Sequence, residues 1–349
     1  MTIIAVFSDD FILQSIWQNA IVEHLKNILP ELNIIYGYED WPATPLQFDN
    51  ELKEFVGNQK DVAELVENAD VVITHVAPIH RKTIDQAKNL KIIGCCRGGP
   101  VNVNINAATD RGIPVVYTPG RNAQAVVEFT LGLILSECKS ISRAHTALSR
   151  GVWRGDLYRY DKAPHELQGR TIGLIGFGTI ARMLVPYLKP FEMKILSYDP
   201  YVSEDIFKSY GVTSTDFYDL LKNSDIVSMH ARVTKETLGM MGNKEFNTMK
   251  QGAFFINTAR GALVDYDALY QVLKSGHLAG AGIDTFGIEP PPLNWPLLDL
   301  ENVTLTPHIG GSSRETAHRS ANMIAREVSN FFKGEPLQFC INPQVLEKK

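Results

Sequence analysis

The stretch Thr171-Ile-Gly-Leu-Ile-Gly-Phe-Gly-Thr-Ile-Ala181 decides how the chain is read. Its first five residues, Thr171–Ile175, form an apolar run of strand length, and a helical pattern follows through about Leu188. Between them Gly176 permits a tight turn and Gly178 lets the backbone approach a pyrophosphate. Ala181 takes the third small position, where the helix must pack close on the strand. The N-terminus of such a helix offers free N–H groups and the positive end of its dipole to phosphates. A lone glycine-rich turn also arises from packing alone. Here the next apolar run, Lys194–Tyr198, ends in Asp199, and 199 − 176 = 23 residues separate that acid from the first glycine. A carboxylate at this place accepts hydrogen bonds from the adenosine ribose hydroxyls and repels a 2′-phosphate. Together these features specify a dinucleotide site, with NAD favoured over NADP.

Outward from this unit, short runs rich in Val and Ile alternate with longer stretches of helical period. They are Ile3–Phe7, Ile34–Tyr36, Val71–Thr74, Lys91–Cys95 and Val115–Tyr117 before it, with Thr171–Gly176 and Lys194–Tyr198 within it. Ile226–His230, Ala253–Asn257, Ala279–Asp284 and Val303–Thr306 follow. Continuous apolar strands spaced by helices are the pattern of parallel sheets covered on both faces. Eleven strands exceed one comfortable sheet, so the expected fold is α/β with two doubly wound domains. A length of 349 residues agrees with two domains. The longest helical pattern runs from about Ala123 to Arg150, with Asn122 as N-cap and Gly151 as stop; Gly132 within it suggests close packing.

Composition excludes several functions. The chain is 44% hydrophobic and 21% charged, ordinary for a globular protein. Its 34 Lys+Arg against 39 Asp+Glu leave a net charge of −5, so no global positive field draws nucleic acid or an anionic membrane surface. An anionic partner must be captured by a few placed cations. Cys95, Cys96, Cys138 and Cys340 show no metal-ligand spacing, so no metal site is expected, and a reducing, cytoplasmic compartment is the simpler reading. The amino terminus lacks the pattern of a signal peptide, and no apolar run reaches the roughly 20 residues of a membrane span.

Three later segments each follow a strand run: Asn257-Thr-Ala-Arg260-Gly261, Asp284-Thr-Phe-Gly-Ile-Glu289-Pro290 and Pro307-His308-Ile-Gly-Gly311. In doubly wound sheets the carboxyl ends of the strands line the ligand crevice. Singly, Arg260 is a surface cation, Glu289 a loop carboxylate and His308 a capping or packing histidine. At successive strand ends beside a dinucleotide turn they suit hydride transfer to a 2-keto acid. Arg supplies a planar bidentate partner for a carboxylate, His exchanges a proton near neutral pH, and a neighbouring carboxylate favours the imidazolium.

On the turn at Gly176, Asn257–Gly261, Asp284–Pro290 and Leu305–Gly311, the chain resembles the D-isomer-specific 2-hydroxyacid dehydrogenase family over nearly its whole length. The resemblance implies that Arg260 binds the substrate carboxylate, His308 is the acid/base and Glu289 orients it. It implies a flavodoxin-like substrate domain of residues 1–121 and 310–349, interrupted by a Rossmann NAD-binding domain of residues 122–309. The implied cofactor set is Gly176, Gly178, Thr179, Ile180, Asp199, His230, Arg232, Thr237, Thr258, Asp284, His308 and Gly310. Homodimers built on the 123–150 helix region are the family habit. Formate dehydrogenases of this fold carry glutamine where this chain has Glu289, so hydroxyacid chemistry is preferred.

Departures from the family concern the substrate. Cys95-Cys-Arg97-Gly-Gly-Pro-Val-Asn102-Val-Asn104 replaces a Gly-Val-Asp-Asn-Ile-Asp run. Arg97, with the backbone of Gly98 and Gly99, is a candidate substrate contact, and an ion pair is the alternative for Arg97. Arg232 stands where many relatives have proline, facing either cofactor or substrate, or pairing with Glu236. The segment Thr118–Glu128 looks like phosphoglycerate-dehydrogenase-type members, which favours 3-phosphoglycerate or another phosphorylated hydroxyacid. The chain ends soon after Pro343, leaving no room for the serine-sensing domain of some such enzymes. The alternatives are a glyoxylate or hydroxypyruvate reductase and a nucleotide-sensing binding protein like the C-terminal-binding-protein corepressors.

Overall fold

Among the described residues the eleven apolar runs and one short polar segment form twelve strands: β1 (Thr2–Asp9), β2 (Leu32–Glu39), β3 (Val71–Thr74), β4 (Ile92–Cys95), β5 (Val115–Tyr117), β6 (Thr171–Ile175), β7 (Lys194–Tyr198), β8 (Thr213–Ser214), β9 (Ile226–Met229), β10 (Ala253–Asn257), β11 (Leu278–Ile283) and β12 (Val303–Leu305). The computed structural model describes residues 1–42 and 45–347. The chain divides into two units, Met1–Arg121 with Ser313–Lys349, and Asn122–Ser312. The expected second passage, after residue 309, falls instead after Ser312. Asp284 accounts for the difference, because it ties the Ile309 and Gly310 N–H groups into the second unit, at 2.9 and 2.8 Å.

The first unit is a five-stranded parallel sheet of order β2-β1-β3-β4-β5. This is the flavodoxin-like order, with its switch point between β1 and β3. Val71–Thr74 is buried throughout, as a strand covered on both faces must be. One face packs on Val62, Val66, Ile84 and Ala107. The other packs on Trp17 and Ile21 and on Ala317, Ile324 and Val328 of the helix Arg314–Lys333.

The second unit is a seven-stranded parallel sheet of order β12-β11-β10-β9-β6-β7-β8. Its order reverses about β6, which carries the glycine-rich turn, as in the Rossmann arrangement. One face packs on Leu220, Phe246, Leu269 and Leu273. The other packs on Val127, Ile134, Leu184 and Leu188. The edge strand β8 is only two exposed polar residues, and the apolar pattern missed it.

The long helix from Ala123 is two helices, Ala123–Cys138 and Ile141–Ser149. Ser140 breaks it by entering the left-handed region at φ 55°, where its N–H bonds the Glu137 carbonyl. Asn122 precedes the first helix without a capping side-chain bond. Gly132 is exposed, and a Cβ there would meet open space, so close packing does not explain it. Gly151 ends the second helix at φ 78°.

Candidate active site

The dinucleotide turn has the expected geometry. Gly176 adopts φ 92°, and a Cβ there would lie 2.7 Å from the Ala231 nitrogen, so only glycine fits. Gly178 is exposed, and its missing Cβ faces open space. Thr179 and Ile180 open the helix Thr179–Leu188, whose first N–H groups have no intrahelical acceptor. Ala181 is fully buried. Asp199 accepts from the Phe177 N–H at 2.8 Å and the Tyr201 N–H at 3.0 Å, which sets its carboxylate alongside the turn. Free N–H groups, open space before them and an adjacent acid fit the pyrophosphate and ribose of NAD.

The residues expected around the cofactor divide by burial. His230 bonds Ser228 Oγ at 2.9 Å, and burial pushes its imidazole down to about 4. Thr258 is buried against Thr130 Oγ1 at 2.7 Å. Thr237 donates to the Arg232 carbonyl at 2.6 Å, closing the turn that presents Arg232. Arg232 itself is exposed, and among the described residues it makes no ion pair, so the pairing with Glu236 is not formed. Asp284 spends its carboxylate on the chain before the last helix. Oδ1 accepts from Thr306 Oγ1 and the Ile309 N–H, and Oδ2 from the Gly310 N–H.

His308 follows β12 with φ 53°, and its Nδ1 lies 2.8 Å from Glu289 Oε2. An ionised carboxylate only accepts, so Nδ1 carries the hydrogen and Nε2 is the exchangeable position. Glu289 Oε1 accepts from the Phe286 N–H at 2.9 Å, fixing the carboxylate across its own loop. The hydrogen bond that His308 donates to Glu289 raises its imidazole above the ordinary value, against the opposing effect of burial. Burial pushes Glu289 up, but the bonds from His308 and Phe286 hold it below the usual range. The two side chains are 44% and 38% exposed, open enough to meet a small molecule. Arg260 is exposed at the end of β10, its Nη1 on the Ala259 carbonyl at 2.7 Å, and its charge is felt by both Glu289 and His308.

Gly261 explains how the two loops meet. A Cβ there would lie 1.9 Å from the Phe286 carbonyl carbon, so the Arg260 turn rests directly on the backbone of the Glu289 loop. Tyr266, which sequence reasoning missed, supports the same loop: its hydroxyl donates to the Thr285 carbonyl and its ring packs on Phe286 and Trp295. A tyrosine nine residues after β10 carries no local signal of that role.

In the first unit, Arg97 pairs with Glu54 and donates to its carbonyl, so the ion pair is formed. Gly98 and Gly99 are exposed. Asn102 is wholly buried, donating to the His75 and Ala77 carbonyls, and Asn104 caps the helix Ile105–Asp110 through the Ala107 N–H at 2.8 Å. Those asparagines hold the loop. Among the described residues no group of His, Cys, Asp and Glu could hold a metal ion, and no helix is long and apolar enough to cross a membrane.

Residues 131–310 match the model of the D-isomer specific 2-hydroxyacid dehydrogenase, NAD binding domain, family. The chain is 37% identical to the D-3-phosphoglycerate dehydrogenase of Archaeoglobus fulgidus over 85% of its own length and 56% of that protein. It is 35% identical to the glyoxylate reductase of Korarchaeum cryptofilum, over 83% of its own length and 88% of that protein. The chain thus spans about half the length of the curated D-3-phosphoglycerate dehydrogenases it matches. A solved protein of Thermus thermophilus superposes with a TM-score of 0.77 at 28% identity, covering 97% of this chain and 99% of that one.

Proposed function

Because the chain belongs to the D-isomer-specific 2-hydroxyacid dehydrogenase family, we propose that it interconverts a small D-2-hydroxyacid and its 2-keto acid with NAD(H). The observation that carries this reading is the His308–Glu289 pair, which shares one parallel sheet and one unit with the dinucleotide turn. NADH, when bound along Gly176–Ile180 and Asp199, supplies the hydride that adds to C2. His308 donates its Nε2 proton to the keto oxygen as negative charge develops there, while Glu289 stabilises the imidazolium. Arg260 forks the substrate carboxylate. In oxidation neutral His308 accepts the hydroxyl proton. His230, Arg232, Thr237, Thr258, Asp284 and Gly310 complete the cofactor contacts in this reading.

Relatives named for both phosphorylated and short acids leave 3-phosphoglycerate and glyoxylate-type substrates as the two candidates. The test is NADH oxidation with glyoxylate, hydroxypyruvate and phosphohydroxypyruvate. Turnover of one of them supports the reading. Retained NADH binding without turnover of any returns the chain to the nucleotide-sensing alternative.

A homodimer through the 123–150 region belongs to the same proposal. The helix Ile141–Ser149 buries none of its residues, and beyond it Trp153, Tyr158 and Tyr160 are 82, 96 and 100% exposed. Exposed aromatics of this kind suit a second copy. Residues Cys95, Cys96, Cys138 and Cys340 are free thiols, which supports a cytoplasmic location in the same reading.

A further inference from the structure

The first unit has a polar cluster at its own switch point that the chemistry above does not use. In open parallel sheets ligands bind outside the carboxyl ends of the strands, where the strand order reverses. Here that place lies between β1 and β3. Asp9 ends β1 and His75 directly follows β3, with exposures of 1% and 3%. Arg97 follows β4, and Arg121 follows β5.

The hydrogen bonds fix the protonation. Arg121 donates from Nη2 to His75 Nε2 at 3.0 Å. A guanidinium accepts nothing, so Nε2 is bare, and Nδ1–H donates to Asp9 Oδ2 at 2.7 Å. Burial pushes His75 down to about 4, which keeps the ring neutral near pH 7. Asp9 Oδ1 accepts from the Phe11 and Ile12 N–H groups at 2.8 and 2.6 Å. Arg121 also donates from Nη1 to Ser320 Oγ at 3.0 Å, and its carbonyl accepts from Arg319 Nη1 at 2.5 Å.

The Arg121 charge therefore rests against a neutral ring and a hydroxyl. Among the described residues no carboxylate pairs directly with it: the Asp9 charge favours it but is reached only through the His75 ring, and Arg97, whose charge opposes it, is already paired with Glu54. The Thr118 carbonyl accepts from the Arg121 N–H at 3.4 Å, and Thr118 Oγ1 is buried without a partner among the described residues. Phe11 lies under the guanidinium at 5.8 Å, and Trp41, 45% exposed, stacks on His75 at 5.6 Å. A cation held largely from water without an anion is costly unless a ligand supplies one.

We propose that Arg121, oriented by His75 and Asp9, is an oxyanion-recognition residue of the first unit that takes the carboxylate or phosphate of a small organic acid. If the dehydrogenase reading is right, the consequence is a preference for substrates bearing a second anionic group. That consequence rests on the reading; binding at Arg121 does not.

The experiment is calorimetric titration of the full chain, without cofactor, with hydroxypyruvate, phosphohydroxypyruvate and 2-oxoglutarate. The last two add a phosphate and a carboxylate to a keto acid, which separates the two sources of oxyanion. One of them is expected to bind at least about tenfold tighter than hydroxypyruvate, the effect of one charge-assisted contact. Arg121→Gln reduces that preference to about threefold or less and leaves NADH affinity unchanged. Arg121→Lys keeps the charge that the cluster folds around but loses the planar fork, so it retains only part of the preference and carries the test if Arg121→Gln does not fold. Equal or undetectable binding of all three acids by the native chain overturns the proposal, as does a preference that survives in Arg121→Gln or is complete in Arg121→Lys. Dianion binding without any turnover of keto acids upholds this site and sinks the dehydrogenase reading.

Discussion

His308 Nδ1 lies 2.8 Å from Glu289 Oε2, and this bond raises the imidazole while the Phe286 N–H at 2.9 Å holds the carboxylate in place. The pair shifts His308 toward its acid form. Reduction needs that form, so its kcat/KM falls as pH rises through the raised His308 pKa. Oxidation needs the neutral ring and rises through the same value. In Glu289→Gln the raising bond is weakened, so both inflections move toward lower pH. His308→Ala removes the proton donor and lowers kcat by about 10²–10⁴-fold with NADH affinity nearly unchanged. Initial rates in both directions across pH, with NADH titrations, check this; inflections unmoved in Glu289→Gln would contradict the assigned role.

Gly261→Ala is expected to separate the Arg260 turn from the Glu289 loop. The added carbon would lie 1.9 Å from the Phe286 carbonyl carbon, and backbone cannot yield as a side chain does. About 1–3 kcal/mol in stability is at stake, as in overpacking a core. Activity falls further than melting temperature suggests, because both loops carry reacting groups. A variant with native kcat/KM would show that the two turns move independently.

Asp199 has two tasks in the geometry, holding the Phe177 N–H at 2.8 Å and facing the turn with its remaining lone pairs. Asp199→Asn keeps an oxygen for the N–H but removes the charge. NADH affinity should fall about tenfold, some 1.4 kcal/mol, while discrimination against NADPH weakens more. Fluorescence titration with both cofactors measures the ratio, and an unchanged ratio would remove Asp199 from the ribose role.

Both sheets were legible because parallel strands are continuous apolar runs, and the placement of Arg260, Glu289 and His308 beyond the ends of β10, β11 and β12 was legible for the same reason. Features without that signature were not. The edge strand Thr213–Ser214 is too short and polar to register. The break at Ser140 has neither Pro nor Gly beside it; a left-handed serine ends the helix instead. Asn102 reads as part of a ligand loop, yet it is a buried clip on the His75 and Ala77 carbonyls. Asp9, His75 and Arg121 are scattered over more than a hundred residues, and only the pairing of β1 with β3 brings the first two together. Their position just past apolar runs was the available signal, the same one that marked Arg260 and His308.

Glu137 offers a stability test independent of catalysis. The residue is 5% exposed, and its carboxyl accepts from Thr304 Oγ1 and is pushed by burial up to about 7, with the Thr304 bond and Arg143 acting in the opposite sense. A folded-state pKa above the unfolded value means the folded chain binds more protons between them. Stability therefore falls as pH rises from about 4.5 toward 7, and the dependence vanishes below that window, where both states are protonated. Glu137→Gln keeps an acceptor for Thr304 and cannot ionise, so it removes this slope. At pH 8 the variant should be more stable than the native chain by roughly 1–3 kcal/mol, and near pH 4.5 the two should be alike. Urea unfolding at several pH values decides the matter. A native chain as stable at pH 8 as the variant would mean that Glu137 ionises without penalty, through Arg143 or through solvent reaching the helix Ala123–Cys138.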